Sequence, residues 1–164
     1  MKSFNDCVSE YRKQVEKGDI VTAYRGLIQY MMSLRTHFKN RFPDYSVSGN
    51  IYSGYMDMTY FPLVPEKLRN KGLKIAIVLV HDKLSFEAWL AGSNKKIQAK
   101  YWELAKKQKW DKYRVPKAIK GQDSIIECDL VVNPDFSDVD KITREIEVRT
   151  VRFVKDIEDF LDRI

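Results

Sequence analysis

Apolar and polar positions along the chain fall into two kinds of rhythm, and the boundaries between them are punctuated by glycine, proline and capping residues. Phe4, Cys7, Val8, Tyr11 and Val15 recur at steps of three and four, the spacing of one face of a helix, behind a Ser3/Asp6 pair of capping type. This predicts a first helix to about Lys17. Gly18 suits the residue just past a helix end and Asp19 the cap of the next helix, in which Ile20, Tyr24, Leu27, Met31, Leu34 and Phe38 repeat at the same steps until Pro43. The chain therefore opens with a helical hairpin.

Beyond Asp44 the rhythm shortens to two. Ile51 to Phe61 is rich in aromatic residues and reads as one strand ended by Pro62 and Pro65; Leu73–Val80 and Leu84–Ala91 read as an antiparallel hairpin turning at His81-Asp82-Lys83. Ser93 or Asn94 caps a helix with Ile97, Tyr101, Leu104 and Ala105 on its inner stripe. The run Lys106–Gly121 is a basic loop, and Ser124–Val132 is a further strand. A final helix follows Asn133-Pro134-Asp135-Phe136-Ser137-Asp138, with Val139, Ile142, Ile146, Phe153, Ile157 and Phe160 facing inward. The predicted fold class is α+β: an antiparallel sheet of about four strands with helices packed on one face, an N-terminal helical hairpin and a long C-terminal helix. One domain over residues 1–164 is expected. The strands alternate too regularly for a parallel sheet buried on both faces.

Three segments carry a resemblance. Gly54–Phe61 (GYMDMTYF), Phe86–Trp102 (FEAWLAGSNKKIQAKYW) and Asn133–Ser137 (NPDFS), together with the opening hairpin, resemble a family of small bacterial and archaeal proteins defined only as a domain of unknown function. The resemblance spans nearly the whole chain and implies an α+β domain. It implies no activity and no catalytic residue.

Charge changes the picture more by its placement than by its total of +6. Ser93–Gly121 holds ten Lys/Arg against two acids, whereas Gln122–Ile164 holds twelve acids against six bases. A basic middle is joined to an acidic end. Lys95 and Lys96 stand at a helix start, where the backbone already offers partial positive charge and unpaired N–H groups, so this corner suits an anion. With Asn94 they form one candidate ligand-binding group. Lys100, Lys106, Lys107, Lys109, Lys112 and Arg114, interleaved with Trp110 and Tyr113, extend it into a candidate nucleic-acid surface, with bases neutralising phosphates and rings stacking on nucleobases. Solvated lysines covering apolar surface, with both tryptophans packed inward, give the same pattern.

Strand phase yields a second constellation. If Met56, Met58, Tyr60, Ala88, Leu90, Ile126, Cys128 and Leu130 face the helices, then Tyr55, Asp57, Thr59, Glu87, Trp89, Glu127 and Asp129 share the other face. Asp57, Glu87 and Glu127 are then the candidate catalytic carboxylates of a metal-assisted phosphodiesterase or small-molecule hydrolase. Tyr55, Asp57, Thr59, Glu87 and Trp89 are also candidates for binding a small ligand. The ordinary wet face of an antiparallel sheet has the same composition. The acid-x-lysine of restriction-type nucleases is absent, since Glu87 is followed by Ala88-Trp89.

Other chemistry finds little footing. His37 and His81 are isolated; there is no GxSxG, CxxC or GxGxxG; Cys7 and Cys128 read as separate thiols of a reduced, cytoplasmic protein. No cofactor and no protein metal site is specified, and no membrane association is expected. The expectation is a binding module for an anionic partner, nucleic acid among them, with the enzyme and a regulatory protein–protein interaction domain as alternatives.

Overall fold

The computed structural model describes all residues, Met1–Ile164. Two helices open the chain, α1 (Phe4–Lys17) and α2 (Asp19–Arg41). Ser3 and Asp6 form a reciprocal capping box at the start of α1, and Gly18 ends it in the left-handed region at φ 87°, where a side chain would be strained. Two short strands, β1 (Ser46–Val47) and β2 (Tyr52–Ser53), precede β3 (Met58–Val64), a single turn of helix α3 (Glu66–Arg69), β4 (Leu73–Val80) and β5 (Ser85–Gly92). Then come α4 (Lys95–Lys107), β6 (Ile126–Val132) and α5 (Val139–Asp162). The sheet is antiparallel throughout in the order β1-β3-β4-β5-β6, with β2 also pairing β3.

One face of this sheet carries the core. Phe61 and Leu63 of β3, Ile75, Ile77 and Leu79 of β4, Phe86, Ala88 and Leu90 of β5 and Ile126 of β6 are fully buried there. Cross-strand register puts them side by side, Phe61 opposite Ile77 and Ile77 opposite Ala88. From α2 come Tyr30, Met31, Leu34 and Phe38; from α5 come Ile146, Phe153, Ile157 and Phe160. Tyr30 meets Phe86 edge to face with centroids 5.5 Å apart, the geometry that ring quadrupoles favour. The two long helices are also joined directly, by Tyr30 Oη with Thr143 Oγ1 at 3.0 Å and by the Glu147 carboxylate, which accepts from Arg41 Nε at 3.3 Å. No helix is long and apolar enough to cross a membrane.

The predicted strand Ile51–Phe61 is a hairpin instead. Tyr52 pairs with Tyr60 and Ser53 with Thr59, and the chain reverses between them at Gly54–Asp57. Asp57 Oδ1 closes that turn by accepting the N–H groups of Tyr55 and Met58, both at 2.8 Å, while Met56 sits at φ 65°. A Cβ on Gly54 would lie 2.2 Å from Asp57 Oδ1, so only glycine fits. The strand also runs through Pro62 to Val64. Pro62, which has no N–H to give, contributes its carbonyl, which accepts the Ser48 N–H at 3.1 Å.

Candidate functional site

The turn at Gly54–Asp57 removes Tyr55 and Asp57 from the sheet. In β3 the odd residues Thr59, Phe61 and Leu63, not the even ones, face the helices. Thr59 is completely buried on the core side, where its hydroxyl meets His81 Nε2 at 2.8 Å. Met58 and Tyr60 therefore stand on the open face, the reverse of the expected phase. On β5 and β6 the expected phase holds: Ala88, Leu90, Ile126 and Cys128 face the core, and Glu87, Trp89, Glu127 and Asp129 face away.

The proposed carboxylate triad is accordingly corrected. Asp57 is a turn-closing residue, its carboxyl held below the usual range by backbone N–H groups, first that of Met58. Tyr55 is free in solvent, 99% exposed. Glu87, Glu127 and Asp129 do gather, but around a cation. Arg114 forms a bridge to β6 opposite Glu127 and reaches Asp129 Oδ1 with Nη1 at 2.7 Å, Glu87 Oε2 with Nη2 at 3.2 Å and Glu127 Oε2 with Nε at 3.3 Å. Glu87, almost wholly buried, also accepts from Trp89 Nε1 at 2.7 Å, and Glu127 from Ser124 Oγ at 2.6 Å. These carboxylates are spent on a guanidinium, and no group of three or more His, Cys, Asp or Glu side chains is placed to hold a metal ion. Cys128, half-buried on the core side, has its thiol pushed up to about 11 by burial and by Asp129, so it is a poor nucleophile.

Beside that cluster the open face is concave. Ala76 and Val78 of β4 form a floor between Tyr60 of β3 and Trp89 of β5, with Lys74, Gln98 and Asp123 at the rim, around a cavity of about 200 Å³. The register explains the shape: Val78 lies opposite Tyr60, and Ala76 opposite Trp89. Small residues on the middle strand and large rings on its neighbours make a slot. Tyr52 stacks on Tyr60 at 5.1 Å, nearly parallel, and fixes that wall.

A second cavity of about 510 Å³ adjoins the first at Gly92, Gln98 and Asp123. Its walls are the start of α4 (Asn94, Lys95) and the loop Ile119–Asp123, including Lys120. Asn94 caps α4, its Oδ1 accepting from Ile97 N at 2.9 Å. Gln98, buried between the two cavities, donates Nε2 to the Gln122 carbonyl at 2.6 Å and so anchors the loop. Gly92 is the hinge of this arrangement: a Cβ there would lie 2.7 Å from Gln98 N, so α4 approaches β5 only over glycine.

The rest of the basic segment divides. Its aromatic residues are not available for stacking on nucleobases: Trp110 packs edge-on against Phe160 at 5.5 Å, Tyr113 against Phe153 at 5.0 Å, and Trp102 donates Nε1 to the Pro116 carbonyl at 2.8 Å. Tyr113 Oη also donates to Asp156 of α5, and burial together with that carboxylate pushes its phenol far up. Lys112 pairs with the same carboxylate at 2.6 Å, and Arg114 is engaged as described. These are the two of the ten bases that form ion pairs. Lys95, Lys96, Lys100, Lys106, Lys107, Lys109, Lys117 and Lys120 form none, although Lys106 lies 4.2 Å over the Trp102 ring and Lys100 5.2 Å over that of Tyr101. The acidic last helix therefore neutralises the basic segment at one point only.

Of the candidates read from the sequence, Trp89, Asn94 and Lys95 line the joined cavities, and Lys96 is exposed beside them. Sequence reasoning missed Tyr60, Lys74, Ala76, Val78, Gly92, Gln98 and Asp123. The signal for the β3 members was present in Gly54 and Asp57, turn residues in the middle of the supposed strand.

No curated protein and no solved structure matches the chain. A family model described as "Domain of unknown function (DUF7000)" matches residues 4–161, and the chain belongs to that family.

Proposed function

We propose that this protein is a binding module for a small anionic ligand that carries a planar ring, a mononucleotide being the representative size and chemistry. What supports the reading is the continuity of two unlike cavities. One is an aromatic slot between Tyr60 and Trp89; the other is a lysine-bearing pocket at the start of α4; they meet at Gly92 and Gln98. The rings stand on strands separated by one intervening strand, roughly 9.6 Å apart in backbone, which suits one planar group between or against them. A phosphate placed at the start of α4 gains the helix-end N–H groups and the charges of Lys95 and Lys120. Gln98 and the exposed Asp123 supply an acceptor pair for ring or sugar donors between the two ends. A long nucleic-acid strand fits less well, because the rings of the basic segment are turned inward.

The test is a binding panel on the intact chain at low salt: a mononucleotide, the matching nucleoside and inorganic phosphate, read by calorimetry and tryptophan fluorescence. The nucleotide binds and perturbs fluorescence, while the nucleoside and phosphate each bind at least tenfold more weakly. Trp89→Ala weakens the nucleotide and the nucleoside alike, and Lys95→Ala/Lys120→Ala weakens only the ligands that carry phosphate. Equal affinity of wild type and both variants for the nucleotide, or no binding by wild type, rejects the proposal.

A further inference from the structure

Helix α1 buries none of its side chains, although its sequence is that of an amphipathic helix. Phe4, Val8, Tyr11 and Val15 form a stripe at steps of four, three and four, the seam of a coiled coil, and it stands in solvent: Phe4 is 85% exposed and Tyr11 63%. Tyr11 and Val15 then join Ile20 and Tyr24 of α2 in lining an open groove of about 600 Å³.

We propose that this stripe is the contact surface of a homodimer in which the α1 helices of two copies pair antiparallel about a two-fold axis near residues 9 and 10. This inference is independent of the ligand cleft, which lies on the other side of the sheet from the helical hairpin. Area supports it. A fully buried aromatic side chain hides about 150–250 Å². Phe4 and Tyr11 with the partly exposed valines and isoleucines of the groove thus offer roughly 500–600 Å² per copy, at the top of what monomers leave uncovered. Two copies together reach roughly 1,000–1,200 Å², where specific interfaces begin.

Charge supports a second copy in particular. The first half of α1 carries Asp6 and Glu10, and the second half carries Arg12, Lys13 and Lys17 against the single acid Glu16, so the halves remain net negative and net positive. Antiparallel pairing sets each acidic half beside a basic one and opposes the helix dipoles favourably. With Phe4 layered on Val15 of the second copy and Val8 on Tyr11, the seam edges become Asn5 beside Arg12 and Cys7 beside Gln14. No like charges meet there. A lipid surface would instead call for a stripe flanked by bases alone, and this groove is rimmed by both Glu10 and Arg25.

The experiment is sedimentation equilibrium on the full chain, with two variants. Tyr11→Asp alters an exposed residue, so its melting temperature should match wild type while its dimer dissociation constant rises at least tenfold. Gln14→Cys introduces a thiol about 10.5 Å along the helix from Cys7, too far for a bond within one chain. On mild oxidation it should give a covalent dimer in which peptide mapping links Cys7 of one copy to position 14 of the other. A wild-type monomer at all concentrations overturns the proposal, as does a dimer indifferent to Tyr11→Asp. A predominant Cys7–Cys7 link contradicts the antiparallel register, and a monomer that co-sediments with phosphatidylglycerol vesicles assigns the stripe to lipid.

Discussion

Replacing Arg114 with methionine removes the one guanidinium shared by three carboxylates. Glu87, with its side chain 2% exposed, keeps only the indole N–H of Trp89 and the distant ammonium of Lys83 at 3.7 Å. Glu87 and Asp129, directly opposite each other on β5 and β6, then face one another with no cation between them. Breaking a fully buried ion pair from one side costs about 3–5 kcal/mol. Arg114 is 46% exposed, so water enters where it stood, and the cost falls to about 2–3 kcal/mol. For a chain of this length that lowers the melting temperature by roughly 5–10 °C. Urea denaturation of Arg114→Met, of Glu87→Gln and of the double variant forms a thermodynamic cycle. The double variant should be less destabilised than the sum of the singles by at least about 1 kcal/mol, because both singles break the same contact. Strict additivity, or a loss under about 0.5 kcal/mol for Arg114→Met, would refute the assignment of these acids to a guanidinium.

Other consequences follow from single residues. The Thr150 hydroxyl is fully buried in α5 with no hydrogen-bond partner, so Thr150→Val should stabilise by about 1 kcal/mol and raise the melting temperature. Gly92→Val should destabilise by about 1–3 kcal/mol, since its new atoms meet the backbone of α4 rather than a yielding side chain. It should also weaken nucleotide binding, because Gly92 borders both cavities. Asp57 has a carboxyl held low by the N–H groups of its turn. Its contribution is therefore present above the unfolded value near 3.8 and lost as pH falls through the lower folded value; melting curves of Asp57→Asn should show a shallower acid decline than wild type. His81 is held below its usual value of 6.5, first by burial. Wild type should therefore lose stability as pH falls through and below 6.5, and His81→Gln should flatten that slope in thermal melts followed from pH 7 to pH 5.

Much of the architecture is legible in the sequence, because it is written in local signals. Ser3/Asp6, Gly18, Asn94 and Asp138 mark helix ends that the structure reproduces, and the apolar run Leu73–Val80 is β4 to the residue. The failure at Ile51–Phe61 has a definite cause. Asp57 reads as an outward-facing strand residue and so defines the phase, whereas it lies in a turn and belongs to neither face; the phase of β3 is set by Phe61 and Leu63, which point into the core. The same phase brings Asp57 to Glu87 and turns Tyr60 toward the core, whereas Asp57 closes a turn and Tyr60 walls the slot on the open face. The sequence groups Arg114 with its basic neighbours, since its true partners lie 13 to 27 positions away on strands whose neighbourhood no periodicity specifies. Likewise, helical spacing announces the apolar stripe of α1 but is silent on whether anything covers it. The inward packing of Trp110 and Tyr113 depends on α5 returning across the sheet, a tertiary fact.

The claim on which the function rests is that the aromatic slot and the α4 pocket act as one site. Heteronuclear NMR during titration with a mononucleotide measures this directly. The indole N–H of Trp89 and the backbone amides of Lys95, Lys96 and Gly121 should shift together along one saturation curve. A response confined to the lysines of residues 100–117, with the Trp89 indole unmoved at saturation, would contradict it.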